Sequence, residues 1–425
     1  MSAVQAAKPT VWQAFLQPSA WTMFFFGFAS GLPFLLVAGT LAYWLKEDGI
    51  RLKDITMIAS AGMMYSLKFL WAPLVDRWRL PLIGRLGQRR GWLLFALAVV
   101  IVGLLLMAHL TPGRLAPFVW VTLMTAFAGA TLDIAVDAYR IEIAPQESQG
   151  ALLATYSLGY RIALIITGAL ALMLADQVSW PLVYQAMAVV MLVPVVAVLL
   201  SREPEVVRIR MTTWGEGLRE GVVEPFVDFF RRFGAALAIA LFAFILLAKI
   251  SDQSLGGGIM APFYLSQGFT KTEIGAVSKI WGVWVGLVGV FIAGIAVARW
   301  GVKWPLLAGI VLGAISNLLY VWLIGADGDV WKLTLVISGE NLAQGFQGTT
   351  LVAFLSALVN QRFTATQYAL LSSCMGVPRV IIAAPAGWLA DLLGWPLFFV
   401  GCTLVALPGL ALLPLVGRQY RRDVQ

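Results

Sequence analysis

"LADQVSWPL" at residues 174–182 returns almost intact as "LADLLGWPL" at 389–397, an offset of 215. A match of this length between two apolar regions points to an internal duplication, and three further echoes support it. "ALL" at 151–153 precedes Arg161 by the same interval that "ALL" at 369–371 precedes Arg379, an offset of 218. "GIRLKDI" at 49–55 is echoed by "GFTKTEI" at 268–274, an offset of 219, and "APLVDR" at 72–77 more weakly by "GIAVAR" at 294–299. Four matches in one order at nearly one offset make the second half a copy of the first.

The medium of the fold follows from composition. Of the 425 residues, 60% are hydrophobic and 12% charged, and the mean hydropathy is +0.85; a soluble domain carries roughly 25% charge. Long apolar runs recur from Trp21 to Val416, whereas a transmembrane β-barrel needs short alternating segments. Twelve spans are expected, at 20–45, 55–76, 92–111, 115–142, 151–174, 180–201, 236–265, 273–298, 304–325, 331–359, 367–391 and 396–416. An even number per half makes the repeat parallel. The predicted architecture is an all-α polytopic membrane protein with two parallel-repeat six-helix bundles, 1–201 and 236–425, joined by a polar linker at 202–235. Secondary transporters of the major facilitator type are built this way, with the site expected between the halves.

Charge sets the orientation. With both termini inside, cytoplasmic segments hold 19 Lys and Arg and the opposite side 6. Basic residues concentrate on the cytoplasmic side of membrane proteins, and there they face anionic lipid. That accounts for the +8 net charge without any nucleic acid. No small-residue cleavage site follows an apolar stretch of signal-peptide length, so the first span is expected to be retained. Cys374 and Cys402 both fall in apolar spans and read as small core residues, with neither a disulfide framework nor a metal site. His109 is the single histidine, so histidine-based metal or triad chemistry lacks material.

Ionised groups inside spans are expensive and mark function. "ATLDIAVDAYRIE" at 130–142 places Asp133 and Asp137 one turn apart on one helix face. Two such carboxylates in low dielectric resist being ionised together, which is what a proton carrier needs. The competing reading is an ion pair: Asp137 clamped to Arg77 or Arg140 near the cytoplasmic end, as a gate. The aligned positions of the second half are Leu351 and Leu355, so the duplication did not need these acids for packing. Arg161 and Arg379 are equivalent under the repeat and each needs an anion, either a ligand carboxylate or a permanent partner among Asp133, Asp252 and Glu340. Glu340, Asn341, Gln344 and Gln347 recur at spacings of three or four and read as a cavity wall, with interhelical packing the plainer role for Gln347. Glu340 is also the third candidate for the proton. Lys249 and Asp252 are placed to satisfy each other, and Lys68 and Lys279 to snorkel. Trp44, Trp71, Trp281, Trp284 and Tyr160 are candidates to stack on sugar rings, against interface anchoring. Gly31 and Pro33, with "GGG" at 256–258, mark either broken helices or close helix packing.

Longer motifs support a family. "GFASGLPFLL" (27–36), "TLAYWLKEDGI" (40–50), "KFLWAPLVDR" (68–77), "RRGWLL" (89–94), "LDIAVDAYR" (132–140), "LGYR" (158–161), "ENLAQGFQGTTLVAFLSAL" (340–358) and "ATQYALLS" (365–372) resemble the AmpG muropeptide permeases of Gram-negative bacteria. "APLVDR" followed by "LGQRR" also resembles the basic loop between spans two and three of the superfamily, which makes Asp76, Arg77 and Arg140 the gating candidates. The resemblance implies proton-driven import of N-acetylglucosaminyl-anhydro-N-acetylmuramyl peptides across the inner membrane for cell-wall recycling; the protein is expected to act as a monomer without cofactor. The substrate contacts would come from Arg161, Arg379, Tyr160, Glu340, Asn341, Gln344, Lys249, Asp252, Lys68 and Trp281. Two other functions fit the residues: a major facilitator transporter for another anionic solute, and a membrane-embedded prenyltransferase holding Mg²⁺ on Asp133 and Asp137. The enzyme needs a second acidic motif, and the second half offers only Glu340.

Overall fold

The computed structural model describes residues 15–37, 39–50, 58, 61, 63–110, 115–205, 223–253 and 260–414. Among them every regular element is helical. That is the outcome lipid enforces, because a helix satisfies its backbone N–H and C=O groups within one segment. Among the described residues, eight helices are long and apolar enough to cross a membrane, and ten if each of two sharply bent pairs counts as one. Twelve spans were expected. The second, 55–76, falls partly on residues 51–57, which lie outside the described residues, and its remainder is broken into Met63–Leu67, a 3₁₀ turn at Lys68–Leu70 and Ala72–Arg77.

Contacts divide the chain into two units. One comprises Met1–Ser148, Thr155–Pro225 and Val359–Ala369; the other comprises Gln149–Ala154, Phe226–Leu358 and Leu370–Gln425. Each unit carries one copy of the opening motif, and the copies do the same work. In the first, "SW" ends a break after the Ala171–Ala175 helix, and Pro181 begins the next helix at Trp180. In the second, Gly394 adopts φ +71°, a conformation glycine reaches without a Cβ penalty, and the chain turns before Trp395. Trp180 stacks on Trp44 at 6.2 Å, and Tyr184 meets Trp44 at 4.8 Å. Trp395 meets Phe263 at 4.9 Å, and Phe399 meets Phe263 at 4.7 Å. Trp44 and Phe263 are themselves separated by the repeat offset of 219, so the duplication is preserved as packing.

Helices approach closely where glycine permits. A Cβ on Gly27 or Gly31 of the Pro18–Leu36 helix would strike the carbonyl oxygens of Tyr156 and Tyr160, and one on Gly159 would strike that of Phe24. In the second unit, Gly289 and Gly345 bring the Gly282–Trp300 and Val330–Leu358 helices together in the same way. In lipid this contact is the main source of helix association, because tails are as apolar as the side chains they would replace. Close packing is therefore the observed role of Gly31; "GGG" at 256–258 lies outside the described residues.

Candidate functional site

The first unit buries a cluster of ionisable groups. Asp133 and Asp137 project from one face of the Leu115–Ile143 helix toward Lys68 on its 3₁₀ turn. Lys68 Nζ donates to Asp137 Oδ2 at 3.4 Å and lies 3.9 Å from Asp133 Oδ2. Arg140 approaches Asp137 Oδ1 at 3.7 Å, and its guanidinium lies 5.3 Å above the Tyr368 ring. One ammonium is thus shared by two carboxylates. The Lys68 side chain is only 11% exposed, so it does not snorkel to a membrane face. Its short turn points it at the acids, and no spacing rule in the sequence identifies that partner. Arg77 bonds Glu224 at 3.2 Å instead of Asp137, which takes Arg140 and Lys68.

A second network lies one turn toward the end of the same helix. Asp76 accepts from the backbone N–H of Ala365 at 2.9 Å and of Thr366 at 2.7 Å, and from the Thr366 hydroxyl at 2.8 Å. Arg89 donates to Asp76 at 2.7 Å and to Glu142 at 2.6 Å and 3.0 Å. Gln88 Nε2 donates to the Asp76 carbonyl. Asp76 therefore caps the amino end of the Thr364–Leu404 helix, where unpaired N–H groups and the helix dipole favour an anion. Arg77 rests on the Phe363 ring at 5.4 Å. Arg89, Glu142 and Thr366 escaped sequence reasoning as site members. The basic pair in "LGQRR" was the available signal for Arg89; nothing local marks Glu142 or Thr366.

Arg161, on the Gln149–Ile165 helix, is half-buried and has no hydrogen bond or ion pair among the described residues. Its expected permanent partner Asp133 is engaged by Lys68. Tyr160, the next residue, faces Tyr156 with ring centroids 6.1 Å apart and planes at 27°. The side chains of Arg379, Asp252 and Lys279 lie outside the described residues.

In the second unit, Asn341 Nδ2 donates to Glu340 Oε2 at 2.8 Å, and Trp281 Nε1 donates to Ser338 at 2.8 Å. Gln344 has both amide atoms buried without a partner among the described residues. Gln347 is fully buried and donates to the Ala248 carbonyl at 2.8 Å, the packing role expected for it. Lys249 ends the Ala235–Ala248 helix as its cap residue. Two tryptophans depart from the sugar-stacking list. Trp44 is buried against Phe118, Trp180 and Tyr184, and Trp71 donates to Thr131 at 3.0 Å while packing on Phe127. Both serve the scaffold. Trp281 and Trp284 remain about half exposed.

Duplicated helical halves with charged groups buried among apolar helices define a polytopic membrane transporter. Residues 23–255 match the Major Facilitator Superfamily. The "Anhydromuropeptide permease" of Escherichia coli (strain K12) is 37% identical over 410 residues, covering 95% of this chain and 81% of that protein. The "Putative transporter AmpG 4" of Rickettsia conorii is 35% identical over 399 residues, covering 92% and 94%. The chain belongs to the Major Facilitator Superfamily and, within it, to the AmpG-type permeases. Its fold is similar to that of the transporter FucP in the outward conformation, with a TM-score of 0.67 at 13% identity over 96% of this chain and 99% of that one. It is also similar to the proton:xylose symporter XylE, at 0.62 and 13% over 94% of each. Family membership makes the protein a transporter and not an enzyme, which removes the prenyltransferase reading of Asp133 and Asp137.

Proposed function

We propose that this chain is a proton-coupled importer of N-acetylglucosaminyl-anhydro-N-acetylmuramyl peptides. It works as a monomer in the bacterial inner membrane, with both termini and the 202–235 linker cytoplasmic. The observation that carries the reading is the sharing of Lys68 between Asp133 and Asp137 inside a spanning helix. With both acids ionised, Lys68 and Arg140 balance them. One added proton leaves a net positive charge in low dielectric, where it attracts an anion strongly. Asp133 is the first candidate for that proton, Asp137 the second and Glu340 the third. The anion is the substrate's peptide carboxylate, and Arg161 is its anchor, since a guanidinium cannot shed its charge and this one lacks a protein partner among the described residues. Arg379 is its counterpart by repeat. Asn341, Gln344, Trp281, Lys249, Asp252 and Tyr160 supply further polar and aromatic contacts, and Asp76, Arg77 and Arg140 gate. The relative named as an anhydromuropeptide permease supports this substrate.

Uptake of labelled muropeptide by proteoliposomes, with and without an imposed pH gradient, tests the proposal. Concentrative uptake should require the gradient. Uptake that ignores it removes the proton, and no uptake of muropeptide beside uptake of another organic anion removes the substrate.

A further inference from the structure

Among the described residues, the buried polar atoms of the first unit that lack a hydrogen-bond partner include Ser30 Oγ, Tyr65 OH and Asp133 Oδ1. They come from three different stretches of chain, and they converge. Ser30 lies near both the Asp133 carboxyl and Tyr156, and the Tyr65 hydroxyl packs against Gly129, one helical turn before Asp133. Burying such a group without a partner is costly. Packing alone gives no reason to keep them, because Ala at 30 and Phe at 65 would fill nearly the same space. Beside them Tyr156 and Tyr160 present two nearly parallel rings, both only partly buried. Their backbone is held from behind, where Gly27 and Gly31 bring the first helix against the Tyr156 and Tyr160 carbonyls. Gly129 leaves the room that the Tyr65 hydroxyl occupies, since a Cβ there would collide with it. Among the described residues, Lys68, Asp137, Arg140, Arg161 and Tyr368 are the other ionisable groups around this cluster.

We infer that the first unit carries a carbohydrate subsite, in which the Tyr156–Tyr160 pair is the stacking face for a pyranose ring and Ser30, Tyr65 and Asp133 answer its hydroxyl or acetamido groups. The chemistry matches in kind. A sugar presents an apolar C–H face to an aromatic ring and a rim of donors and acceptors to a few placed polar atoms. Hydroxyl, phenol and carboxylate together offer both donors and acceptors. Rigid placement by the glycine contacts spares the ordering cost on binding. The subsite rests on the muropeptide reading and deepens it: the glycan end of the substrate lies on Tyr156 and Tyr160, and the peptide end reaches for Arg161.

The test uses the whole protein in nanodiscs and three probes: the N-acetylglucosaminyl-anhydro-N-acetylmuramic acid disaccharide, the same disaccharide bearing its peptide, and the free peptide as competitor. Ser30→Ala and Tyr65→Phe should each weaken both disaccharide ligands by the same factor, about 5- to 10-fold, and leave competition by the peptide unchanged. Tyr156→Leu should weaken them by about tenfold or more, and Tyr156→Phe, which keeps the ring, should restore most of that loss. Thermal unfolding of each variant without ligand checks that the bundle is intact. A loss confined to the peptide-bearing ligand, or no loss for either, overturns the subsite. A parent that ignores the muropeptide but binds the disaccharide through Tyr65 removes the proposed substrate and keeps the subsite.

Discussion

Asp76 and Thr366 meet at the amino end of a helix, 290 residues apart in sequence, and the Asp76 carboxylate takes both the Thr366 N–H and its hydroxyl. Arg89 holds the same carboxylate from the other side at 2.7 Å. Cap and ion pair therefore depend on one group. Asp76→Asn should lower stability by about 1.5–3 kcal/mol, the worth of charge-assisted bonds, and Thr366→Val by about 1 kcal/mol. The double variant should fall well short of the sum, because both act on one network. Denaturation in detergent measures all three, and strict additivity would separate Thr366 from the network.

Proton coupling divides the two aspartates. Asp133→Asn keeps shape and an accepting oxygen but removes titration, so it should abolish gradient-driven uptake while counterflow persists. Asp137→Asn touches the contact with Arg140 as well, and should slow counterflow too. Gradient-driven uptake and counterflow in the same liposomes separate the two outcomes. If Asp133→Asn still concentrates substrate like the parent, the proton belongs elsewhere, with Glu340 next to examine.

Arg161→Ala should weaken binding of the peptide-bearing ligand far more than that of the bare disaccharide, by the roughly 1.5–3 kcal/mol of a charge-assisted contact. Arg379→Ala should behave alike if the repeat is functional. Titration calorimetry with both ligands gives the ratio directly, and equal losses would return these arginines to the scaffold.

Glu273 lies just before the span Ala276–Trp300 and forms a reciprocal cap with Thr270: its carboxylate accepts from the Thr270 N–H and hydroxyl at 2.8 Å, and the Thr270 hydroxyl accepts from the Glu273 N–H at 3.3 Å. The bonds from Thr270 hold the Glu273 carboxyl below the usual glutamate range. A folded value below the unfolded one stabilises fully above the ordinary glutamate value of about 4.3, and that contribution fades as pH falls through the folded value. Hydrogen exchange of the 270–274 amides, corrected for intrinsic rate, should show constant protection from neutral pH down to about 4.3 and a loss below it. Glu273→Ala should lack the step; a step of the same size in that variant would assign it to another group.

The medium, the duplication and the charged positions were legible in the sequence, because each is a property of composition or of spacing along the chain. Lipid demands long apolar helices, so the fold class follows from hydropathy. A copied half keeps its register, so Trp180 and Trp395 declare each other before any contact is known. Asp133 and Asp137 stand out because an acid in an apolar run is costly wherever it points. Partner identity is a different kind of fact. Lys68 reaches Asp137 across 69 residues, Asp76 reaches Thr366 across 290, and Arg77 takes Glu224 across 147. A helix periodicity records which residues share a face of one segment, but not which other segment that face meets. Only packing sent Trp44 into the core with Trp180, left Arg161 without a partner among the described residues, and gathered Ser30 and Tyr65 around Asp133. Which helices may touch is set by where glycine lets backbones close, as at Gly27 and Gly159, and that depends on the surface opposite each glycine, which the tertiary structure alone supplies.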